Sequence, residues 1–321
     1  MSWKKGSLER RRRPKFATCF LVLIGGFKLE GIREIKRRRA SVLSISKVTN
    51  AMKIIAATRL RRIEARLGTA ARLQEELKRC AIEMFLRNIG PSHPFFTLRE
   101  VRNITLFVVS TMRGFCGGLS EKIAKEVNTF INMMKERGIS VSTYVIGKKG
   151  AGFFANGDVK SVDIGFFDPL LWIKLENLSS HICNLFISGA ADQVIVAYTK
   201  FLSTSSHKVV LELVLPIWEK GVTRAELSNS FDLIAEPSED AVEEFLVREN
   251  VKALLWRALV EGSASEEAER LIAMDKAHSN AEDLMRDLTR RYNSLRQASI
   301  TTELLDIIGG ARAVQGMGSE V

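Results

Sequence analysis

"ASEEAERLIAMDKAHSNAEDLMRDLTRRYNSLRQASITTELLDIIGGA", residues 264–311, repeats small and apolar side chains at intervals of three and four: Ala264, Ala268, Leu271, then Ala281, Met285, Leu288, Tyr292, Leu295 and Ser299. That period marks one narrow stripe along an α-helix, as in the seam of a coiled coil. The stretch lies in a run, 238–321, that contains no proline, and proline breaks helix interiors. A helix from about Asp240 to about Val314 would be roughly 110 Å long at 1.5 Å per residue. Ordinary globular domains are shorter than that, so a rod projecting from a domain is expected. Its far end is not tail-like: Arg296, Gln297, two threonines and two glycines are mixed with helix formers and apolar residues.

A second proline-free run, 15–90, has the same character. Ile32, Ile35, Val42, Ile45, Val48, Met52, Ile55, Leu60, Ile63, Leu67 and Ala70 recur mostly at three and four, which predicts a second long helix whose seam they form. The two helices are expected to pair antiparallel. Between them, about 98–237, lie short β-branched runs at 103–111, 141–147, 192–200, 208–216 and 231–237. Helical patterns at 120–138 and 171–189 separate the early ones. Strands alternating with helices favour a small α/β domain with a partly parallel sheet. The fold class is therefore α/β plus a long antiparallel coiled coil. Its expected parts are a shaft helix over 29–90, the α/β domain over 98–237 and a second shaft helix over 238–321.

The net charge of +11 is unevenly placed: residues 1–66 carry +15 and the remainder −4. Nucleic acid, anionic lipid or an acidic protein surface are all conceivable partners for such a segment. No aromatic residue interleaves the positive charge between 28 and 84, and no nucleic-acid module is apparent. A solvated or protein-facing helix is the default. Residues 1–28, with "RRRRPKFATCFLVLIGGF" at 10–27, have the outline of a signal peptide without a convincing cleavage site, and the apolar run is too short to span a membrane. They are read as an extension from a misassigned upstream start.

Chemistry is sparse. Cys19, Cys80, Cys116 and Cys183 form no CxxC pair, and His93, His181, His207 and His278 have no metal-ligand spacing; no metal and no cofactor is expected. "STMRGFCGGLSEK" (110–122) has the strand, glycine loop, helix order of a phosphate-binding loop but neither the GxGxxG nor the GxxxxGK[ST] spacing, and "GKKG" (147–150) is no closer. A tight turn that needs glycine is the competing reading. Cys116 could be a nucleophile or a small buried apolar residue. Glu243-Glu244 and Glu266-Glu267 fall where solvated helix charge is expected. No catalytic residue is nominated.

Three stretches, 32–62, 110–120 and 264–311, resemble the gamma subunit of rotary ATP synthases, and the I-T-x-E-x-x-D-x-x-x-G-A core of the last is intact. The resemblance spans about residues 29–315. It implies a non-catalytic rotor shaft within a ring of three alpha and three beta subunits, with the α/β domain facing the epsilon subunit and the c-ring. Proton flow would turn the shaft and drive the beta subunits through binding, synthesis and release. Membrane contact would run only through the c-ring, at the cytoplasmic face of a bacterial inner membrane, with no nucleic acid involved. Arg296, Gln297, Thr301 and Glu303 match positions that touch a beta-subunit loop, and Met52 matches one that packs near them. Arg113, Gly114, Cys116 and Gly117 match the family's loop motif in the α/β domain. Met112 stands where the family usually has Asp and Ser120 where Asn is common, which puts the polar contacts of those two positions in doubt; Asn50, where Lys is common, removes one positive charge from the shaft. A coiled-coil scaffold with no rotary role, and a nucleic-acid-binding protein using the basic helix, are the alternatives.

Overall fold

The computed structural model describes residues 31–87, 94–96, 99–154, 159–217, 236 and 238–317. The extension at 1–28 and nearly all of the run at 231–237 lie outside them. Helix α1 covers Ile32–Arg87 and helix α4 covers Glu239–Met317. Between them come β1 (Asn103–Val109), α2 (Leu119–Glu136), β2 (Ser140–Ile146), β3 (Val159–Val162), α3 (Leu171–Ile187), β4 (Gln193–Ser203) and β5 (Ser206–Leu215). Helical N- and C-terminal segments thus flank a central domain with one mixed sheet.

The described residues fall into two compact units. One combines the start of α1, up to Ile45, with α4 from Ala281 onward. Its core is Ile35, Val42, Ala281 and Leu288, with Met285, Tyr292 and Leu295 packed against them. The Arg39 guanidinium lies 5.6 Å over the Tyr292 ring, a cation–π contact.

The other unit spans Ser46–Asn280. Here α1 and α4 run antiparallel: partners on α4 fall in number as those on α1 rise, from His278 with Ser46, through Asp275 with Lys53, to Asn250 with Gln74. The sheet order is β3-β2-β1-β4-β5. The first three pairings are parallel and β5 closes the edge antiparallel to β4. Helix α2 covers one face, packing Leu119, Ile123 and Val127 on Ile104, Leu106 and Val108. The alternate residues of β1, Phe107 and Val109, face the larger core that includes α3, α1 and the middle of α4. This is the period-two alternation of a strand buried on both sides. Both domain helices stop at a glycine in the left-handed region: Gly138 at φ 75° and Gly189 at φ 74°, where the chain closes back on the last turn through Ile139 N–H to Met134 and Ala191 N–H to Leu185.

Two expectations need correction. Within α1 the residues at strict seven-residue spacing, Ile35, Val42, Thr49, Ala56, Ile63 and Ala70, are all buried, whereas Ile45, Val48 and Ile55 are more than half exposed. The larger aliphatics suit a seam by type, but a seven-residue period selects Thr49 and Ala56 because small side chains let two helices close up. Second, Glu243, Glu266 and Glu267 are buried rather than solvated, with exposures of 2%, 6% and 5%. The run "EGSASEEAER" (261–270) is interface, not surface. Small residues bring this part of α4 against the sheet: a Cβ at Gly262 would lie 3.0 Å from Val109 Cγ1, and Ala264, Ser265 and Ala268 are fully buried.

Candidate functional site

The glycine loop that follows β1 meets α4 at a buried polar junction. Glu266 accepts the amide protons of Met112 at 2.8 Å and Arg113 at 3.0 Å. Arg270, one turn on, pairs with Glu266 and donates from Nε to the Gly114 carbonyl at 3.2 Å. It also pairs with Glu267 at 2.6 Å. Glu267 has Arg59 of α1 at 3.7 Å. Two carboxylates and two guanidiniums therefore balance, which buried charge requires. Burial pushes the Glu266 carboxyl above its usual range, opposed by Arg270 and the two amides.

This geometry decides between the two readings of "STMRGFCGGLSEK". Two of the amides that a phosphate-binding loop would offer to a ligand are occupied by the protein's own carboxylate. The loop is a tight turn held by α4. Cys116 is buried, its thiol pushed up by burial and then by Glu266; its Sγ points at the Arg113 carbonyl, 3.6 Å away. It is a packing residue, not a nucleophile. Gly117 is at φ 58°, and a Cβ there would come 3.0 Å from Glu269. Of the departures from the family pattern, Ser120 keeps a polar contact, its hydroxyl 2.6 Å from Thr111. Met112 packs where Gly165 leaves room, its Cε 3.0 Å from where a Cβ would be. Nothing in the structure explains Asn50.

Met52 lies in this unit, beside Lys53, whose ammonium pairs with Asp275 at 2.9 Å. With Arg113, Lys149, Phe115 and Arg270 it lines a cavity of about 450 Å³. Phe115 is held at φ 63°, uncommon for a non-glycine residue, and is 71% exposed. Apolar side chains and cations thus share one opening. Arg296, Gln297, Thr301 and Glu303 belong to the other unit, where all four are exposed. Thr301 donates to the Gln297 carbonyl and Ser299 to Glu303, both contacts along the helix itself. Around them Ile300, Leu304, Leu305, Ile307 and Ile308 are also exposed, an apolar stretch of the kind that marks a partner surface.

Sequence reasoning missed Glu266, Arg270 and a further trio. His207 of β5 is half-buried, with its side chain 7% exposed, and lies 3.0 Å from Glu269, which also faces Lys122 at 3.5 Å. Its Nδ1 has no hydrogen-bond partner among the described residues. Burial first, and Lys122 second, hold the imidazole below its ordinary value against the pull of Glu269. The folded state therefore binds fewer protons here than the unfolded chain. Stability present above about pH 6.5, the ordinary histidine value, will be lost as pH falls through the folded-state value. Urea midpoints measured between pH 7.5 and 5 should drop less in His207→Gln than in the parent; parallel drops would remove His207 from the acid response.

Among the described residues no group of His, Cys, Asp or Glu is arranged to hold a metal, and no helix is long and apolar enough to cross a membrane. The family pattern described as ATP synthase matches residues 31–314. The ATP synthase gamma chain of Histophilus somni (strain 129Pt) is 33% identical over 289 residues, covering 89% of this chain and 100% of the relative. That of Haemophilus influenzae (strain PittEE) is 34% identical over the same shares. In fold, the chain resembles a chain of the Euglena gracilis mitochondrial ATP synthase (F1 and c-ring structure) with a TM-score of 0.60 at 18% identity, over 90% of this chain and 96% of that one. A chain of the Tetrahymena thermophila central stalk and c-ring gives 0.54 at 19%, over 72% and 99%. The chain belongs to the ATP synthase gamma chain family.

Proposed function

We propose that this chain is the central rotor shaft of a proton-translocating ATP synthase, a non-catalytic subunit that couples rotation of a c-ring to conformational change in a surrounding ring of three alpha and three beta subunits. The epsilon subunit and the c-ring engage the α/β domain, and the complex sits at the cytoplasmic face of a bacterial inner membrane. The observation that carries this reading is the match over 31–314, and it favours the rotor over a scaffold or nucleic-acid binder. The exposed C-terminal stretch supports it physically. A turning tip needs contacts that form and break, so apolar side chains with few polar ones serve better than a dense ion-pair array. Arg296, Gln297, Thr301 and Glu303 supply the polar contacts with a beta-subunit loop. Met52 supplies another contact, at a cavity whose Arg113 and Lys149 suit an acidic partner segment.

A hydrogen bond is worth about 0.5–1.5 kcal/mol net. Arg296→Ala and Gln297→Ala should therefore each lower coupled ATP synthesis about three- to tenfold while the chain still co-purifies with alpha and beta subunits. Synthesis at the parental rate in both variants would remove these residues from the contact. A parental chain that never co-purifies with those subunits would remove the rotor reading itself.

A further inference from the structure

The polar run 261–270 is stitched to the sheet more densely than packing alone requires. The Glu261 carboxylate takes the Phe201 amide at 3.3 Å and Ser265 donates to the Thr199 carbonyl at 3.3 Å, both in β4. One turn on, Glu266 takes the amides of Met112 and Arg113, and Arg270 takes the carbonyl of Gly114. Three successive backbone groups of the loop are thereby fixed to a single turn of α4. The next residue, Phe115, projects 71% exposed, and the Arg113 side chain beside it is also exposed. Both line the cavity that Met52 shares.

We infer that Glu266 is a positioning residue for energy coupling: its carboxylate holds the 112–115 loop rigidly on α4, so that Arg113 and Phe115 present a fixed surface beside Met52. This rests on the rotor reading above. Glu266 is itself only 6% exposed, so it meets no partner and acts through the loop. An anchored loop passes load from α4 to whatever touches it. A loose one yields first, and part of each rotary step is spent on local rearrangement. Buried charge-assisted bonds are suited to this because losing them leaves an uncompensated buried group, whereas apolar contacts slide. Arg270 alone does not replace the anchor, since it reaches only the Gly114 carbonyl.

The test uses the full chain assembled with its alpha, beta, epsilon and membrane subunits in inside-out vesicles. ATP hydrolysis and acid uptake are measured on the same preparation, alongside amide exchange at Met112 and Arg113 in the purified complex. Glu266→Ala should keep hydrolysis within about twofold of the parent while acid uptake per ATP falls about fivefold, and the two amides should exchange at least ~10-fold faster. Glu266→Gln should fall between, because its amide oxygen still accepts one N–H; if the alanine variant fails to assemble, the glutamine variant decides. An unchanged uptake-to-hydrolysis ratio, or hydrolysis and uptake falling together, overturns the inference and leaves the rotor reading standing. A parental chain that supports no ATP-driven uptake overturns both.

Discussion

Arg270→Ala will destabilise the full chain by about 3 kcal/mol or more, the cost of leaving buried carboxylates without their cation. The guanidinium is 5% exposed and faces Glu266 and Glu267, which are buried to the same degree. After its removal Glu266 keeps only the two loop amides, and Glu267 keeps only Arg59 at 3.7 Å. The Gly114 carbonyl also loses its donor. Arg270→Lys should recover part of the loss, because an ammonium restores the charge but cannot fork between two carboxylates and a carbonyl. The effect will depend on pH with a definite sign. Burial already lifts the Glu266 carboxyl above its usual range; without Arg270 it rises further, and the folded state then holds a proton that the unfolded chain releases. Stability grows as pH falls where the folded state binds more protons. The deficit of Arg270→Ala against the parent should therefore be larger at pH 8 than at pH 5, read as the difference in urea midpoints. Arg286→Ala, which removes a pair exposed at 70% and 67%, is the control and should leave the midpoint where it was. A deficit below about 1 kcal/mol for Arg270→Ala, the range of a surface pair, would mean that the junction is solvated and not the buried anchor described.

The terminal helices are legible in the sequence because two independent signals agree: long runs without proline and a seam at three and four. The same signals misplace part of the α1 seam. Ile45, Val48 and Ile55 look like core residues by type, while Thr49 and Ala56 do not, yet the helix pair buries the latter. Periodicity tells which face turns inward only when small and hydroxyl residues are counted with the aliphatics. Strand β3, "VKSV", escapes notice because it is a four-residue edge strand with a lysine and a serine at its centre, too short to show alternation. "EGSASEEAER" reads as solvated because charge usually is. The telling signal is composition within the run: Gly262, Ala264, Ser265 and Ala268 among four glutamates and one arginine. A helix face that combines small residues with opposite charges one turn apart can pack closely and satisfy its own ions. The loop glycines pose a different limit. Spacing alone excludes two nucleotide-loop patterns, but only the position of Glu266 reveals what the loop amides bind.

The pair of glycines in "GKKG" gives the other large effect, for steric reasons that the sequence does not disclose. The turn after β2 crosses the end of β1: Ser110 N–H donates to Ile146 and Lys149 N–H donates to Thr111. Gly147 sits at φ 120°, and a Cβ there would stand 2.7 Å from the Ser110 carbonyl oxygen and 3.0 Å from that of Thr111. At Gly150 a Cβ would fall 1.8 Å from Ser110 Oγ and 2.2 Å from Ser110 Cβ. Rotating the serine hydroxyl relieves the first overlap but not the second, because Cβ is fixed to the backbone. Each alanine must therefore push two crossing segments apart, and the hydrogen bonds that pin them lengthen together. Overpacking costs about 1–3 kcal/mol at either position, and more where the overlap is with fixed atoms; at Gly147 the positive φ adds about as much again. Gly147→Ala and Gly150→Ala should accordingly each lower unfolding free energy by roughly 3 kcal/mol or more. Gly152→Ala, five residues from the first and with nothing within 4 Å of where its Cβ would stand, should cost less than about 1 kcal/mol. The damage should also be local before it is global. Amide exchange at Ser110 and Lys149 ought to accelerate in both variants ahead of exchange in α2, because the crossing turns depend on these contacts and the helix does not. Near-parental urea midpoints for Gly147→Ala and Gly150→Ala together would show that the two turns have slack, and with slack there the end of β1 could not hold its loop at a fixed height against α4.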